Sequence, residues 1–343
     1  MTGLFAGRYE LLELLGATGN GEVHRAFDHF RQMEVALKLF LTASAQPIHA
    51  YWEASLLTSL RSDNILEVFD TGTSSDDIPY LATAIAAAGT TADRAKLAPL
   101  GIRPDLVLLW LRQALIGLRT CHARGLLHRD IKPSNIFLQR SDWALIGDFG
   151  LARLVGPDGR APAAGTPVTK APELFLAGTM DVRSDLYSLG VTAYLLLVGD
   201  WPFSDSDAKA LSDKIVAGRY VPLRHAAPHV SGRLSKRISK AMSVDPDQRY
   251  ANAEMMLAAL SVSGLVDPAW ERIAAHQDHL QCWLEVRRAS GQLRQVCVEP
   301  AGTGRWNPVV RYTGSGNRVA GAFAADVRTA DLATRIGAIF ARL

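Results

Sequence analysis

The sequence predicts an α+β protein with a small β-rich lobe, a helical lobe and a small α+β domain at its C-terminal end. Three observations support this prediction: strand-like segments dominate residues 1–85, apolar-faced helical patterns follow up to Leu260, and strand-like segments return after Gly264. The chain has 343 residues and is 48% hydrophobic, so it can bury substantial cores. We expect a cleft between the two lobes, where ligand sites commonly lie.

The first lobe is predicted to consist of three antiparallel strands, a helix and two further strands. Apolar segments separated by turn residues predict strands over residues 8–15, 22–28, 32–40, 65–69 and 79–85. Between residues 48 and 60, the side chains of Trp52, Leu56, Leu57 and Leu60 recur at helical spacing. We therefore place the end of this lobe at about residue 85.

The second lobe is predicted to be helical. Apolar residues at a helical period predict long helices over residues 106–124 and 184–198, and shorter helices follow up to Leu260. The apolar run at residues 189–198 is too short to span a bilayer, and the N-terminal residues lack the pattern of a signal peptide. We therefore expect a cytoplasmic protein without a membrane span.

The cysteines give no sign of a disulfide framework or of a metal site. Cys121, Cys282 and Cys297 form no C-x-x-C pair and show no spacing typical of metal ligands. We therefore predict neither a disulfide scaffold nor a zinc site. All three are expected to be reduced residues that contribute to packing.

A glycine-containing loop, GATGNGEV, occupies residues 16–23. Loops of this kind let backbone amides approach a phosphate chain closely, but short glycine patterns also occur in hairpin turns. Thr18 stands where the phosphate-binding pattern has its middle glycine. The loop alone therefore leaves a nucleotide site and an ordinary turn both open.

The strongest chemical signal is a pair of motifs in the second lobe. The segment HRDIKPSN at residues 128–135 is followed by DFG at residues 148–150. Together they resemble the catalytic core of eukaryotic-type (Hanks-type) serine/threonine protein kinases. The resemblance covers about residues 8–262. It implies a bilobal protein-kinase-like fold over residues 1–263, with the N-lobe at about residues 1–85 and the C-lobe at about residues 86–263.

The resemblance implies a reaction and a role for each motif residue. ATP, together with Mg²⁺, would supply a γ-phosphoryl group to a hydroxyl of a protein substrate. Asp130 would orient that hydroxyl and accept its proton, and Lys132 would hold the γ-phosphate. Asn135 and Asp148 would provide oxygen ligands to Mg²⁺. Phosphoryl transfer depends mainly on such positioned charges, which explains the residue types.

The resemblance also implies a set of nucleotide-binding residues in the N-lobe. They are Gly16, Gly19, Gly21, Val23, Ala36, Lys38 and Glu53. Lys38 would grip the α- and β-phosphates, and Glu53 would be its carboxylate partner. Because Thr18 adds a β-branched side chain where the backbone must lie close to phosphate, we expect ATP binding to be weakened but measurable.

The segments that follow resemble the substrate-docking part of a protein kinase. Gly165-Thr166-Pro167 and Ala171-Pro172-Glu173 resemble the end of the activation segment. Asp185 resembles the buried acid that anchors the catalytic loop, and Arg249 resembles the partner of Glu173. This platform implies a protein substrate, and Lys132 with Thr166 is more similar to serine/threonine than to tyrosine kinases.

Residues 154–165 contain no Ser, Thr or Tyr. We therefore predict that phosphorylation in this stretch does not switch the activity. The alternative to a kinase is a pseudokinase scaffold that keeps the fold and signals through binding. Thr18 and the segment without hydroxyls favour the scaffold, whereas Lys38, Glu53, Asp130, Asn135 and Asp148 favour catalysis.

Residues 264–343 are predicted to form a small α+β regulatory or targeting domain. Strands are expected over residues 280–288, 293–299, 308–312 and 318–323, followed by a helix capped by Thr329. One apolar stripe of that helix contains Leu332, Ile336, Ile339, Phe340 and Leu343. Residues 265–343 carry ten arginines and seven acidic residues, which leaves open a protein partner or a nucleic-acid partner.

Overall fold

The computed structural model of the protein describes residues 4–18, 21–41, 58–266, 269–276, 278–286 and 292–343. Its strands are β1 Tyr9–Thr18, β2 Gly21–Asp28, β3 Met33–Phe40, β4 Val68–Thr73, β5 Pro79–Thr83, β6 Leu126–Leu127, β7 Ile136–Arg140, β8 Trp143–Ile146, β9 Arg153–Leu154, β10 Ala161–Pro162, β11 Thr179–Met180, β12 Trp270–Ile273, β13 Cys282–Glu285, β14 Arg294–Gly302, β15 Arg305–Tyr312, β16 Arg318–Phe323 and β17 Val327–Arg328. Its helices are α1 Thr91–Leu97, α2 Pro104–His122, α3 Pro172–Leu176, α4 Val182–Val198, α5 Ala208–Val216, α6 Leu223–Ala226, α7 Gly232–Ala241, α8 Ala253–Leu260 and α9 Thr329–Phe340. The predicted α+β class is confirmed.

The N-terminal lobe is a five-stranded antiparallel sheet in the order β1, β2, β3, β5, β4. Side chains alternate along β3, so Val35, Leu37 and Leu39 are buried in one small core. Ala36 and Lys38 consequently lie on the opposite face. The predicted strand at residues 65–69 is shifted, since β4 begins at Val68, and the predicted helix at residues 48–60 lies mostly outside the described residues.

The C-terminal lobe is built around α2 and α4, whose buried residues belong to one large core. Helix α4 begins with a capping box in which Asp181 and Ser184 bond each other's backbone amides. The predicted helices at residues 106–124 and 184–198 are confirmed, and each begins two residues earlier than predicted. Pro104 at the start of α2 explains one of these shifts, because proline fits the first helical turn.

Residues after 266 form a separate six-stranded sheet with α9 against one face. The strands predicted at residues 293–299, 308–312 and 318–323 are present, and β12 and β17 are two strands that the pattern did not predict. Leu332, Ile336 and Ile339 of α9 are buried, as predicted. The cap prediction is wrong by one residue: Arg328 is the N-cap, and the Thr329 hydroxyl instead bonds Trp306 and the carbonyl of Gly304.

The C-terminal sheet and helix dock on the C-lobe through aromatic residues. Trp283 donates its indole N–H to Nδ1 of His229, at 3.1 Å, and both side chains are buried. The rings of His229 and Phe340 of α9 meet edge to face with centroids 6.3 Å apart. Among the helices of the described part of the chain, none has the length and apolar character needed to cross a bilayer.

Candidate active site

The glycine loop is described at its two ends. Gly16 pairs with Val23 across β1 and β2, and Gly21 begins β2. Gly21 has φ +150°, and a Cβ there would lie 1.8 Å from the carbonyl oxygen of Leu39. A side chain at this position would therefore break the pairing of β2 with β3, whatever the loop binds. Gly19 and the side chain of Thr18 lie outside the described residues.

Lys38 reaches from β3 to the residue that begins the DFG motif. Its ammonium group forms an ion pair with Asp148, although the two residues are 110 positions apart in the chain. Both side chains are partly buried, with exposed fractions of 12% for Lys38 and 25% for Asp148. Glu53, the predicted partner of Lys38, lies outside the described residues, so the pairing observed for Lys38 is with Asp148.

Asp130 lies at the centre of a hydrogen-bond network in the loop after β6. Its Oδ1 accepts hydrogen bonds from the backbone amide of Thr166, at 2.9 Å, and from the hydroxyl of Thr166, at 2.8 Å. Its Oδ2 lies 2.8 Å from Nζ of Lys132 and 3.1 Å from Nδ2 of Asn135. Lys132 also donates to the Thr166 hydroxyl, at 2.8 Å. The structure thus brings together Asp130, Lys132 and Asn135.

These contacts set the charge of Asp130. Burial opposes ionisation, but the hydrogen bonds from Lys132 and Thr166 outweigh it and hold the pKa of Asp130 below its ordinary value. Asp130 is therefore a carboxylate at neutral pH, with Lys132 as its counter-charge. In that state it can orient a hydroxyl and accept its proton.

Short backbone links connect the catalytic loop to the DFG segment. The carbonyl of Asn135 accepts a hydrogen bond from the amide of Gly147, at 3.0 Å, and Nε2 of His128 lies 2.9 Å from the carbonyl of Gly147. The rings of His128 and Phe149 are packed with centroids 4.9 Å apart. Asp148 follows Gly147 with a left-handed φ of 57°. The two segments that carry Asp130 and Asp148 are therefore fixed beside each other.

Asp185 on α4 anchors the loop that carries Asp130. Its carboxylate accepts the backbone amides of His128, at 3.0 Å, and Arg129, at 2.9 Å. His122 at the end of α2 adds a contact from Nε2 at 2.9 Å. Burial opposes the charge, but these bonds hold the pKa of Asp185 below its ordinary value. Sequence reasoning missed His122, because nothing in the spacing of residues 122 and 185 indicates their contact.

The segment after DFG is held by a buried ion pair and a glycine. Arg249 donates two hydrogen bonds to Glu173, at 2.8 and 2.7 Å, which is the predicted pair. Gly165 has φ +103°, and a Cβ there would lie 2.4 Å from the carbonyl oxygen of Arg129. This close approach places Thr166 against Asp130. Thr169, the other nearby hydroxyl, is 2% exposed.

The donor atoms of the site fit magnesium. Asp130, Asn135 and Asp148 offer carboxylate and amide oxygens, which are the hard ligands that Mg²⁺ takes. Asp148 uses Oδ1 in its ion pair with Lys38, and its side chain is 25% exposed, so the carboxylate is accessible. Asn135 turns its Nδ2 to Asp130, and its Oδ1, which accepts a hydrogen bond from the Ser134 hydroxyl at 3.2 Å, is the atom that a cation would use.

Comparisons with known proteins cover most of the chain, including the segments that carry Asp130 and Asp148. The family model for the protein kinase domain matches residues 9–260. The serine/threonine-protein kinase PknB of Mycolicibacterium smegmatis is 32% identical over 266 residues, which cover 74% of this chain and 42% of that protein. Serine/threonine-protein kinase pkn2 of Myxococcus xanthus is 32% identical over 281 residues, or 76% of this chain and 34% of that protein. The chain thus spans less than half the length of these curated relatives.

Proposed function

Because the chain belongs to the protein kinase family, we propose that it is an ATP-dependent serine/threonine kinase that transfers the γ-phosphoryl group to protein hydroxyls. The observation that carries this proposal is the network in which Thr166, Lys132 and Asn135 hold one ionised carboxylate, Asp130. The names of the relatives support the reaction class. The bidentate pair of Glu173 and Arg249 supports a protein substrate, since it builds the segment against which a peptide would dock.

Each residue has a distinct task in the proposed transfer. Asp130 orients the acceptor hydroxyl and takes its proton, while Lys132 can turn from Asp130 towards the transferred phosphoryl group. Lys38 pairs with the phosphates of ATP, and Asn135 with Asp148 holds Mg²⁺. When bound, Mg²⁺ neutralises charge on the phosphate oxygens. Gly16, Gly19, Gly21, Val23 and Ala36 form the proposed cover of the nucleotide, with Glu53 as a further partner of Lys38.

The test is phosphoryl transfer from radiolabelled ATP to a generic protein acceptor and to the chain itself. We expect labelling by the full chain with Mg²⁺ and its loss in Asp148→Ala. The control is Asp158→Ala, which changes an exposed carboxylate outside the site. If the chain binds Mg²⁺-ATP in calorimetry but never transfers label, the pseudokinase scaffold replaces the kinase. If neither is seen, the nucleotide site itself is refuted.

We also propose that the kinase domain ends near residue 263 and that residues 264–343 form a regulatory or targeting domain. The end of the family match at residue 260 supports this boundary. Among the eight arginines of this region that the structure describes, four are engaged in ion pairs, which favours a protein partner over a nucleic acid: Arg294, Arg305, Arg311 and Arg328. Binding to a labelled DNA or RNA fragment that weakens steeply with salt would instead support the nucleic-acid partner.

A further inference from the structure

Two histidines and two cysteines meet on the C-terminal sheet. His276 and His279 lie in the loop between β12 and β13, Cys282 begins β13, and Cys297 lies on β14. One ligand atom from each of the four side chains lies within 4.8 Å of every other. Cys282 and Cys297 are buried and free of disulfide bonds, as the sequence predicted, but their contacts with the two histidines were not predicted. The sequence-based prediction compared cysteine spacings alone and left out the histidines of a His-x₂-His-x₂-Cys run.

The register of the sheet produces this meeting. Cys282 and Cys297 are direct partners across β13 and β14, so their side chains lie side by side on one face. Trp283 and Val296, the neighbouring residues, face the core that α9 covers. The cysteines therefore lie on the face away from α9, where the loop before β13 carries both histidines over them.

Three of the six distances between the ligand atoms are close to those of a tetrahedral zinc site. Nδ1 of His276 lies 3.2 Å from Sγ of Cys282 and 3.7 Å from Sγ of Cys297, and Nδ1 of His279 lies 3.5 Å from Sγ of Cys282. With ordinary zinc–sulfur and zinc–nitrogen bonds, tetrahedral geometry separates ligand atoms by about 3.3–3.8 Å. Cys282 and Cys297 are buried, His279 is partly buried and His276 is exposed, so an ion can enter from solvent beside His276.

A neighbouring side chain can support bound thiolates. Gln295, two residues before Cys297 and on the same face, donates from Nε2 to Sγ of Cys297 at 2.9 Å. Its Nε2 also lies 3.1 Å from Nδ1 of His276, the atom that a metal would take. With a metal in place, Gln295 keeps its hydrogen bond to Sγ of Cys297. Hydrogen bonds of this kind orient a metal ligand and offset part of the negative charge on a thiolate.

We propose that His276, His279, Cys282 and Cys297 bind one Zn²⁺ ion with four protein ligands. Four protein ligands leave no open coordination position, so the ion is structural and not catalytic. It fastens the loop between β12 and β13 to the face of the sheet that α9 does not cover. The site is independent of the kinase cleft, since none of its ligands belongs to residues 9–260.

The first experiment measures metal in the full-length chain, purified under reducing conditions without chelators. We expect about one zinc per chain by elemental analysis. Cys282→Ser and Cys297→Ser should lose the metal, whereas Cys121→Ala, which changes the third cysteine, should keep it. His279→Gln should lose it as well, with the exposed His29→Gln as the matched control.

A second measurement covers the case in which the variants fail to fold. The wild-type chain is stripped with a chelator and refilled with Co²⁺, whose spectrum reports tetrahedral geometry and thiolate bonding. We expect both signals, and a rise in thermal midpoint on adding Zn²⁺ to the stripped chain. No zinc as purified together with no cobalt signal would overturn the proposal. A disulfide between Cys282 and Cys297 in freshly purified, non-reduced protein would do so too.

Discussion

The kinase cleft and the cluster of His276, His279, Cys282 and Cys297 differ in how their polar groups are balanced. In the cleft, each carboxylate has a cation from the same chain: Lys132 beside Asp130, and Lys38 beside Asp148. In the cluster, four electron-pair donors face one another, and the amide of Gln295 is the neutral group beside them.

This difference predicts that the geometry of the cluster depends on a bound metal ion, whereas the geometry of the cleft does not. Internal ion pairs hold the cleft in a defined geometry before any nucleotide binds. Among the described residues, the contacts of the cluster include no cation, so we expect its geometry to be complete only with a bound metal. Changes in one region should therefore leave the other region's readout unchanged, and Asp130→Asn tests this expectation directly.

The largest effect is expected for Asp130→Asn. Asparagine keeps the shape of the side chain but cannot take a proton from the acceptor hydroxyl, so kcat should fall by about two to four orders of magnitude. Steady-state kinetics with a peptide acceptor measures this loss. Zinc content should stay the same as in the wild type. A variant that retains more than a tenth of the wild-type kcat would contradict the assigned role of Asp130.

The next effect is expected for Arg249→Met. Arg249 is 4% exposed, and its removal leaves the partly buried carboxylate of Glu173 without its charged partner, with only the hydrogen bond from the Ser184 hydroxyl among the described contacts. The free energy of unfolding of the kinase part should fall by about 3 kcal/mol, measured by urea unfolding. The matched control is Arg119→Met, because the pair of Arg119 and Glu254 is exposed and should contribute about 1 kcal/mol or less. Equal losses in the two variants would contradict this assignment.

The contact between the C-lobe and the C-terminal sheet should depend on pH through His229. Burial, with a smaller effect of Arg272, lowers the pKa of His229 to about 3, and its Nδ1 accepts a hydrogen bond from Trp283. The unfolded chain therefore binds this proton near pH 6.5, whereas the folded chain does not. Stability should fall as pH drops below 6.5, by about 2 kcal/mol between pH 7 and pH 5.

The measurement is thermal unfolding of the wild type and His229→Gln across this pH range. Glutamine keeps an acceptor for Trp283 but does not titrate, so the variant should lose stability less steeply with acid. Identical pH profiles would show that His229 is not the group responsible. Because zinc ligands are also protonated in acid, both proteins are compared at equal zinc content.

The parts of the molecule that sequence reasoning predicted are those encoded by contiguous residues. The HRD and DFG segments are short, and β7 and β8 connect them as a tight antiparallel pair, so Asp130 and Asp148 could be placed from motifs alone. The contact of His122 with Asp185 depends on how α2 packs on α4, which no short pattern records.

The C-terminal domain shows the same limit. Strand β12 was missed because Trp270–Ile273 is short and mixes charged with apolar residues. Predicting the cluster of His276, His279, Cys282 and Cys297 requires a local His-x₂-His-x₂-Cys run and the strand register that places Cys297 opposite Cys282. The run is present in the sequence and was overlooked. The register arises only when β13 and β14 pair.

The smallest effect is expected for Thr166→Val, which tests whether the cleft needs all of its internal bonds. The Thr166 hydroxyl donates to Asp130 and accepts from Lys132, both at 2.8 Å, whereas valine has nearly the same shape without these bonds. Losing a hydrogen bond to a charged group should lower kcat by about tenfold. Thr166→Ser keeps the hydroxyl and should retain activity near the wild-type value. If valine retains the wild-type kcat and serine reduces it, the methyl group and not the hydroxyl positions Asp130, and the cleft is held by packing instead of by its internal charge network.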